Sequence, residues 1–178
     1  MDVPGTTIRA VADDDLDRIL EINEANVPAV GPLDGSRLRH LVDQSAIALA
    51  VTMAGVGPEG DPKGTDPVVG FCLVLAPGAD YDSVNYRWFM DRHDDVVYLD
   101  RVAIDDSARG RGLGSALYAE VDRRIRRDHP DAVALGLEVN VDPPNEPSLA
   151  FHRTLGFREV GRQVSKGIGV SLMLRPIG

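Results

Sequence analysis

Cysteine and positive charge are both scarce in this sequence of 178 residues. Its one cysteine, Cys72, cannot form an internal disulfide, and such usage is typical of a reducing, cytoplasmic environment. Because Cys72 lies in a continuous apolar run over residues 68–75, we expect a buried, inert thiol and not a nucleophile.

Basic residues are outnumbered, with 19 Lys and Arg against 28 Asp and Glu, which gives a formal net charge of -9. This deficit argues against nonspecific nucleic-acid binding, which needs cations to neutralise phosphates. An amine-bearing small molecule suits such a chain better. No stretch approaches the roughly 18 apolar residues of a membrane helix, and residues 1–7 lack the pattern of a signal peptide, so we expect neither.

The length and the hydrophobic content of 43% predict a single domain over residues 1–178. Residues 55–67 are rich in Gly and Pro between two apolar runs, which predicts a mobile hairpin loop. Residues 77–95 hold four aromatic residues among polar ones. This cluster indicates the wall or lid of a pocket, or alternatively a small satellite core under a long loop.

The most informative stretch is residues 109–115, Arg-Gly-Arg-Gly-Leu-Gly-Ser, which lies between a predicted strand over 96–104 and a predicted long helix. Its alternate glycines let the backbone adopt positive φ and approach a ligand, so that successive N–H groups point at one anion. The N–H groups and the dipole of the following helix add to this field. The stretch therefore predicts a phosphate-binding loop.

Two common phosphate-binding loops do not fit this stretch. A Walker loop needs a Lys after its last glycine, and no Lys follows Gly114. A dinucleotide fingerprint read from Gly110 needs a third glycine where Ser115 stands. We therefore rank a nucleotide-binding protein last among the functional interpretations.

The predicted strand over 96–104 carries one carboxylate, Asp100, among apolar neighbours. With a period of two, one face of the strand holds Val96, Tyr98, Asp100, Val102 and Ile104. Arg101 falls on the other face. A buried carboxylate must be paired, hydrogen-bonded or raised in pKa, so Asp100 is either a group with a chemical role or one half of an ion pair with an arginine such as Arg101.

A second motif begins at Asn145, where Asn145 and Pro147 predict a helix start, and ends at the predicted C-terminal cap Gly156. Residues 145–157, Asn-Glu-Pro-Ser-Leu-Ala-Phe-His-Arg-Thr-Leu-Gly-Phe, and the glycine-rich loop together resemble the two motifs of the GNAT superfamily of acetyl-CoA-dependent N-acetyltransferases. The resemblance covers nearly the whole chain and is strongest over residues 98–160. It implies an α/β (α+β) domain with a central, mixed, mostly antiparallel twisted sheet of six to seven strands, splayed at its centre, with about four helices on both faces.

The resemblance also implies acetyl-CoA as co-substrate, and it implies no metal. The glycine-rich loop would bind the coenzyme A pyrophosphate, while the main chain of the preceding strand and the side chain of Asn145 would hold the pantetheine arm. The cofactor-binding residues implied in this way are Val102, Ala103, Ile104, Arg109, Gly110, Arg111, Gly112, Leu113, Gly114, Ser115, Asn145 and His152.

The catalytic candidates are Asp100, His152 and Tyr98. Tyr98 and Asp100 stand where relatives place a base or a water-relay residue, and His152 stands where many relatives have a tyrosine acid. A carboxylate of reference pKa ~3.9 is a poor base for an amine unless burial raises that value, whereas a His of reference pKa ~6.5 can donate a proton near neutral pH. The other interpretation of His152 is a helix-face residue that packs or hydrogen-bonds.

We therefore expect direct transfer of an acetyl group to a primary amine on a small molecule or a peptide. The alternative is a non-catalytic coenzyme A-binding regulatory module. We expect no nucleic-acid or membrane partner and a cytoplasmic location, and we leave a homodimer open. The acceptor side is expected around Asn23, Asn26, Tyr81, Asp82, Asn85, Tyr86, Trp88 and Phe89.

Overall fold

Strands and helices alternate along most of the chain. The computed structural model describes residues 3–55 and 66–177, so most of the predicted hairpin loop over 55–67 lies outside the described residues. The strands are β1 (Thr6–Ala10), β2 (Ile47–Met53), β3 (Val68–Leu75), β4 (Val96–Ile104), β5 (Ala134–Asp142), β6 (Arg158–Ser165) and β7 (Ile168–Pro176). The α-helices are α1 (Leu16–Ala25), α2 (Gly35–Gln44), α3 (Val84–Met90), α4 (Leu113–Asp128) and α5 (Glu146–Thr154).

The strands form one sheet in the order β1, β2, β3, β4, β5, β7, β6. Neighbours are antiparallel, except that β4 and β5 are parallel. This parallel pair extends only from Val96, opposite Ala134, to Tyr98, opposite Gly136. The described remainders of β4 and β5 do not pair with each other, which opens a wedge in the middle of the sheet. The predicted mixed, mostly antiparallel sheet with a central splay is confirmed.

A β-bulge interrupts β4 at Asp100. Leu73 of β3 pairs with Arg101, and the next β3 residue, Val74, pairs with Leu99. Asp100 is therefore an extra residue in β4 with no partner in β3. Such an insertion bends the strand and shifts the alternation of its side chains by one position.

The bulge makes the predicted alternation wrong for the second half of β4. Val102 and Ile104 pack in the cluster beneath α4, whereas Tyr98 packs in the cluster on the opposite face. Arg101 was predicted on the face opposite Asp100, but the two side chains form an ion pair of 3.1 Å. The bulge therefore brings two adjacent charged residues together.

Helices cover both faces of the sheet, as predicted. The α4 stripe of Leu113, Leu117, Val121 and Ile125 is buried on one face, together with Leu149 of α5. Helices α1, α2 and α3 pack on the other face. Each fully buried aliphatic side chain contributes about 1.5–3 kcal/mol, so the α4 stripe firmly fixes the position of the loop that precedes the helix. No helix within the two described ranges is long and apolar enough to cross a membrane.

Helix α3 lies inside the segment 77–95, which the sequence indicated as a connection. The Ser83 hydroxyl caps it by accepting hydrogen bonds from the N–H groups of Asn85 and Tyr86. Tyr86 and Phe89 are buried against Tyr98, with ring centroids 5.7 and 5.8 Å from the Tyr98 ring. These rings form the satellite core that was one of the two interpretations of the segment.

Candidate active site

The glycine-rich loop has the backbone geometry of an anion-binding turn. Gly110 and Gly112 have φ values of +74° and +82°, in the left-handed region that favours glycine. Helix α4 starts directly after Gly112, and the Ala116 N–H is the one that donates to the Gly112 carbonyl. The N–H groups of the preceding residues in the first turn have no helical acceptor and are available to a ligand.

The third glycine of the loop serves helix packing. A Cβ on Gly114 would lie 3.0 Å from the Phe151 ring of α5. Gly114 therefore lets α5 approach the start of α4. Asn145 starts α5, where its side-chain oxygen accepts a hydrogen bond of 3.2 Å from the Ser148 N–H. The two sequence motifs are thus in direct contact.

Arg109 connects the glycine-rich loop to α1. Its guanidinium pairs with Asp106 at 2.9 Å and donates a 2.7 Å hydrogen bond to the Asn26 side-chain oxygen. Arg111 is exposed. Asn26, which the sequence indicated for the acceptor, therefore contacts the glycine-rich loop.

A cavity of about 500 Å³ lies at the wedge between β4 and β5. Its other walls are residues 28–32 of the α1–α2 connection, the start of α3, and the β6–β7 turn. Tyr81 and Asn85, both predicted on the acceptor side, line it, as do Asp100 and His152. Within the described part of the chain, no strand pairs with the β5-facing edge of β4 beyond Tyr98. At the end of the strand, the Ile104 carbonyl accepts a hydrogen bond of 3.5 Å from Asn26 Nδ2.

Asp100 is held by two neighbours. One of its carboxylate oxygens accepts a 2.6 Å hydrogen bond from the Tyr81 hydroxyl, and the other accepts from Arg101 Nε at 3.1 Å. Burial raises the pKa of Asp100, and the contacts with Arg101 and Tyr81 oppose that rise. The ion pair with Arg101, which the sequence offered as the structural alternative, is present.

Arg101 also joins the cavity wall to the core. Its guanidinium donates to the Asn23 side-chain oxygen at 2.8 Å and to the Gly31 carbonyl at 2.6 Å. Asn23 is completely buried and does not line the cavity, so its contribution is to hold Arg101. The sequence analysis did not assign this positioning role to Arg101, because its partners are 70 and 78 residues away.

Glu138 of β5 is the carboxylate that the sequence analysis missed. It lines the cavity and accepts a 2.5 Å hydrogen bond from the Tyr98 hydroxyl. Burial and the nearby charge of Asp100 raise the pKa of Glu138 to about 7, against the hydrogen bond from Tyr98, which lowers it. The sequence pattern that identified Asp100, a single carboxylate within an apolar strand, also occurs around Glu138. Residues 134–139 read Ala-Leu-Gly-Leu-Glu-Val.

Both ring nitrogens of His152 have partners. Nδ1 lies 2.7 Å from the Ser148 carbonyl, which accepts only from a protonated nitrogen. Nε2 is then the acceptor for the Tyr118 hydroxyl, 2.7 Å away. Burial lowers the pKa of His152, which favours this neutral form. The one ring proton is therefore bound to the α5 backbone.

The remaining predicted acceptor residues lie away from the cavity. Tyr86 and Phe89 are buried, and Trp88 packs edge-on against Phe89. Asp82 is exposed and pairs with Arg37. Among the described residues, no cluster of His, Cys, Asp and Glu is suited to a metal ion.

Comparison with known proteins identifies relatives. The sequence model of the Acetyltransferase (GNAT) family matches residues 57–157. A curated relative, the peptidyl-lysine N-acetyltransferase YjaB of Salmonella typhimurium, is 29% identical over 72 residues. That match covers 40% of this chain and 43% of the relative, so it spans less than half of either protein.

Two solved structures have the same architecture over nearly their whole length. Ard1 from Thermoplasma volcanium has a TM-score of 0.74 at 18% identity, with 98% of this chain and 99% of that chain covered. Arabidopsis thaliana NAA60 in complex with acetyl-CoA has a TM-score of 0.73 at 19% identity, with 97% and 98% covered. At these identities the likeness establishes a common fold.

Proposed function

The chain belongs to the GNAT family of acetyltransferases, and on that premise we propose that it transfers an acetyl group from acetyl-CoA directly to a primary amine in a ternary complex. The observation that carries the proposal is Glu138, a half-buried carboxylate that lines the cavity at the wedge, accepts a hydrogen bond from the Tyr98 hydroxyl and has a pKa raised to about 7. A group that titrates near neutral pH is suited to accept a proton from an ammonium group.

The residues present fit coenzyme A. The left-handed Gly110 and Gly112 and the first turn of α4 suit a pyrophosphate, with Arg111 exposed beside them. The edge of β4 over Val102, Ala103 and Ile104 has no partner strand on the β5 side among the described residues and offers main-chain groups to an extended amide chain. That edge leads from the glycine-rich loop to the cavity, so a thioester at the end of the arm would reach Glu138.

The chemistry requires removal of a proton from the amine before it attacks the thioester. Glu138 takes that proton, and the amine lone pair then forms the new C–N bond at the thioester carbonyl. An N–H group of β4 near Val102 stabilises the developing oxyanion. Collapse of the tetrahedral species breaks the C–S bond. The coenzyme A thiolate that leaves takes the second proton of the attacking nitrogen, so the products are the neutral amide and the free thiol. Asp100, held by Arg101 and Tyr81, keeps the pKa of Glu138 high.

His152 lies in the wall of the cavity. Its Nδ1 proton is bound by the Ser148 carbonyl, and Nε2 accepts from Tyr118, so neither nitrogen offers a free proton to a thiolate. His152 therefore stabilises α5 and does not protonate the leaving thiolate. This is the packing interpretation that the sequence already allowed.

The acceptor is a primary amine on a small molecule or a peptide, and the site acts without a metal. A cytoplasmic location stays a prediction from the sequence, and a homodimer stays open. The function is tested by measuring free thiol release with acetyl-CoA and amino acids, polyamines, aminoglycosides, and peptides with free N-termini or lysines. Thiol release that depends on one amine class and is lost in Glu138→Gln supports the proposal. Tight coenzyme A binding without transfer to any class would instead support the regulatory module.

A further inference from the structure

The cavity at the wedge is lined by two acidic and two basic side chains. Asp100 and Arg101 form an ion pair and so neutralise each other. Within the described residues, neither Glu138 nor Lys166 forms an ion pair, although both line the cavity. The cavity therefore presents one anionic and one cationic group to a ligand.

We propose that the acceptor is a primary amine that carries a carboxylate on the same molecule, with a short apolar spacer between the two groups. Its ammonium group pairs with Glu138, and its carboxylate pairs with Lys166. The inference rests on the proposed function of Glu138 as the proton acceptor, and it names the class of amine that this site takes.

Lys166 lies in a tight turn at one end of the cavity. It forms the two-residue connection between β6 and β7 together with Gly167. Both residues have positive φ, +50° and +80°, which is typical of a two-residue hairpin turn. The pKa of Asp82 is lowered by its hydrogen bond from Arg37 and also by the charge of Lys166. Because Asp82 already pairs with Arg37, Lys166 keeps its capacity for the anion of a ligand.

Strand β7 sets the distance between the two charged residues. Glu138 of β5 pairs with Leu172, and the turn with Lys166 directly precedes Ile168. Leu172 and Ile168 are four positions apart, which is about 13 Å along an extended strand. The side chains of Glu138 and Lys166 bridge part of this distance, so a short molecule can contact both.

The surface between the two charged residues is apolar. Ile168 and Val170 share one face of β7 with Leu172, and both line the cavity. Val84 and Val164 line the cavity as well. A spacer of methylene groups would bury apolar surface here, whereas a second ammonium group would face the like charge of Lys166.

The experiment measures kcat/KM for acetyl transfer to three acceptors of one length: γ-aminobutyrate, γ-aminobutyramide and putrescine. They end in a carboxylate, a neutral amide and a second ammonium group. We expect the carboxylate to be favoured over the amide by about 5-fold, the upper size for an ion pair with an exposed lysine, and putrescine to be last. Because the spacer length is set only approximately, δ-aminovalerate and ε-aminocaproate are also compared with their amides.

Three variants test the contribution of Lys166. Lys166→Met keeps a long side chain without its charge and should bring the ratio of carboxylate to amide to about one. Lys166→Glu should reverse the order, so that putrescine is favoured over γ-aminobutyrate. Arg127→Met is the matched control, because it removes the same charge from an exposed residue that pairs with Asp128 on α4, and it should keep the ratio.

A binding measurement separates this inference from the proposed function. Calorimetry with coenzyme A present gives the Kd of each compound without acetyl transfer. Binding that depends on the carboxylate and is lost in Lys166→Met supports the inference, and if no transfer accompanies it, only the proposed function fails. Transfer at equal rates to carboxylates and amides of every length overturns the inference and leaves the proposed function standing. A carboxylate preference that survives Lys166→Met, or no carboxylate preference in either measurement, also overturns it.

Discussion

The hydroxyl of Tyr98 donates a 2.5 Å hydrogen bond to Glu138 at the point where β4 and β5 stop pairing. Tyr98 is the last residue of β4 that pairs with β5, and Glu138 lies two residues beyond its partner Gly136. The bond therefore crosses the closed end of the wedge. It fixes a carboxylate beside the β4 edge along which an acyl carrier would lie.

Replacement of this carboxylate should separate chemistry from binding. Glu138→Gln keeps the size of the side chain and an acceptor for Tyr98, but it cannot take a proton. We expect turnover to fall about 10²- to 10⁴-fold, the usual contribution of a general base. Acetyl-CoA affinity, measured by calorimetry, should be unchanged because the glycine-rich loop is intact.

The control for this change is Glu21→Gln, since Glu21 is an exposed residue whose contact is an ion pair with Arg18. It should retain the turnover of the unaltered protein. Equal activity of Glu138→Gln and Glu21→Gln would remove Glu138 from the mechanism.

The sequence was informative where the signal is local. The glycine-rich loop needs only positive φ at Gly110 and Gly112 and a helix start, and all three follow from adjacent residues. The pairing of Asp100 with Arg101 depends on a bulge, which is set by the register of β4 against β3. The regular two-residue alternation of a strand therefore cannot predict this ion pair.

The protonation states of Glu138 and His152 could not be predicted from the sequence for a different reason. The pKa of Glu138 depends on Asp100, which is 38 positions earlier in the chain. The two carboxylates come close because both line the cavity at the wedge. The state of His152 depends on Tyr118 of α4, 34 residues earlier. A motif places such residues on an element, whereas their protonation is decided by tertiary neighbours.

Replacement of Asp100 should change the pH profile of kcat/KM for acetyl transfer. In Asp100→Asn the negative charge beside Glu138 is lost and Arg101 has no counter-charge, so the pKa of Glu138 should fall below about 7. The acidic limb of kcat/KM should then move to lower pH. Loss of activity at every pH, with acetyl-CoA affinity kept, would instead make Asp100 the proton acceptor.

The glycine-rich loop gives a prediction about the cofactor. Gly112→Val places a β-branched side chain at φ +82°, at a cost of about 1–3 kcal/mol, and blocks close approach to the loop. We expect acetyl-CoA binding to be lost in a folded protein. Gly78→Val is the matched control, because Gly78 has φ +85° and open space around it. Retained affinity in Gly112→Val would contradict the phosphate-binding loop.

His152 makes a prediction about stability. Burial holds its pKa below the unfolded value, so the unfolded chain takes up a proton first as the pH falls. The stability that depends on neutral His152 is complete above the unfolded pKa of ~6.5 and is lost as the pH falls below it. His152→Phe should therefore show a shallower loss of unfolding free energy between pH 7 and pH 5 than the unaltered protein, as measured by urea unfolding.

The same variant decides between packing and proton donation. His152→Phe leaves the Tyr118 hydroxyl and the Ser148 carbonyl without their partner, which should lower stability by about 1–3 kcal/mol at neutral pH. His40→Phe removes a ring outside the cavity that contacts the Asp80 carbonyl, and it serves as the control. If His152 only packs, the alkaline limb of thiol release is the same in both variants. Slowing of thiol release in His152→Phe that grows with pH would identify His152 as the proton donor to the thiolate, because a lost acid matters most where water is the only alternative source.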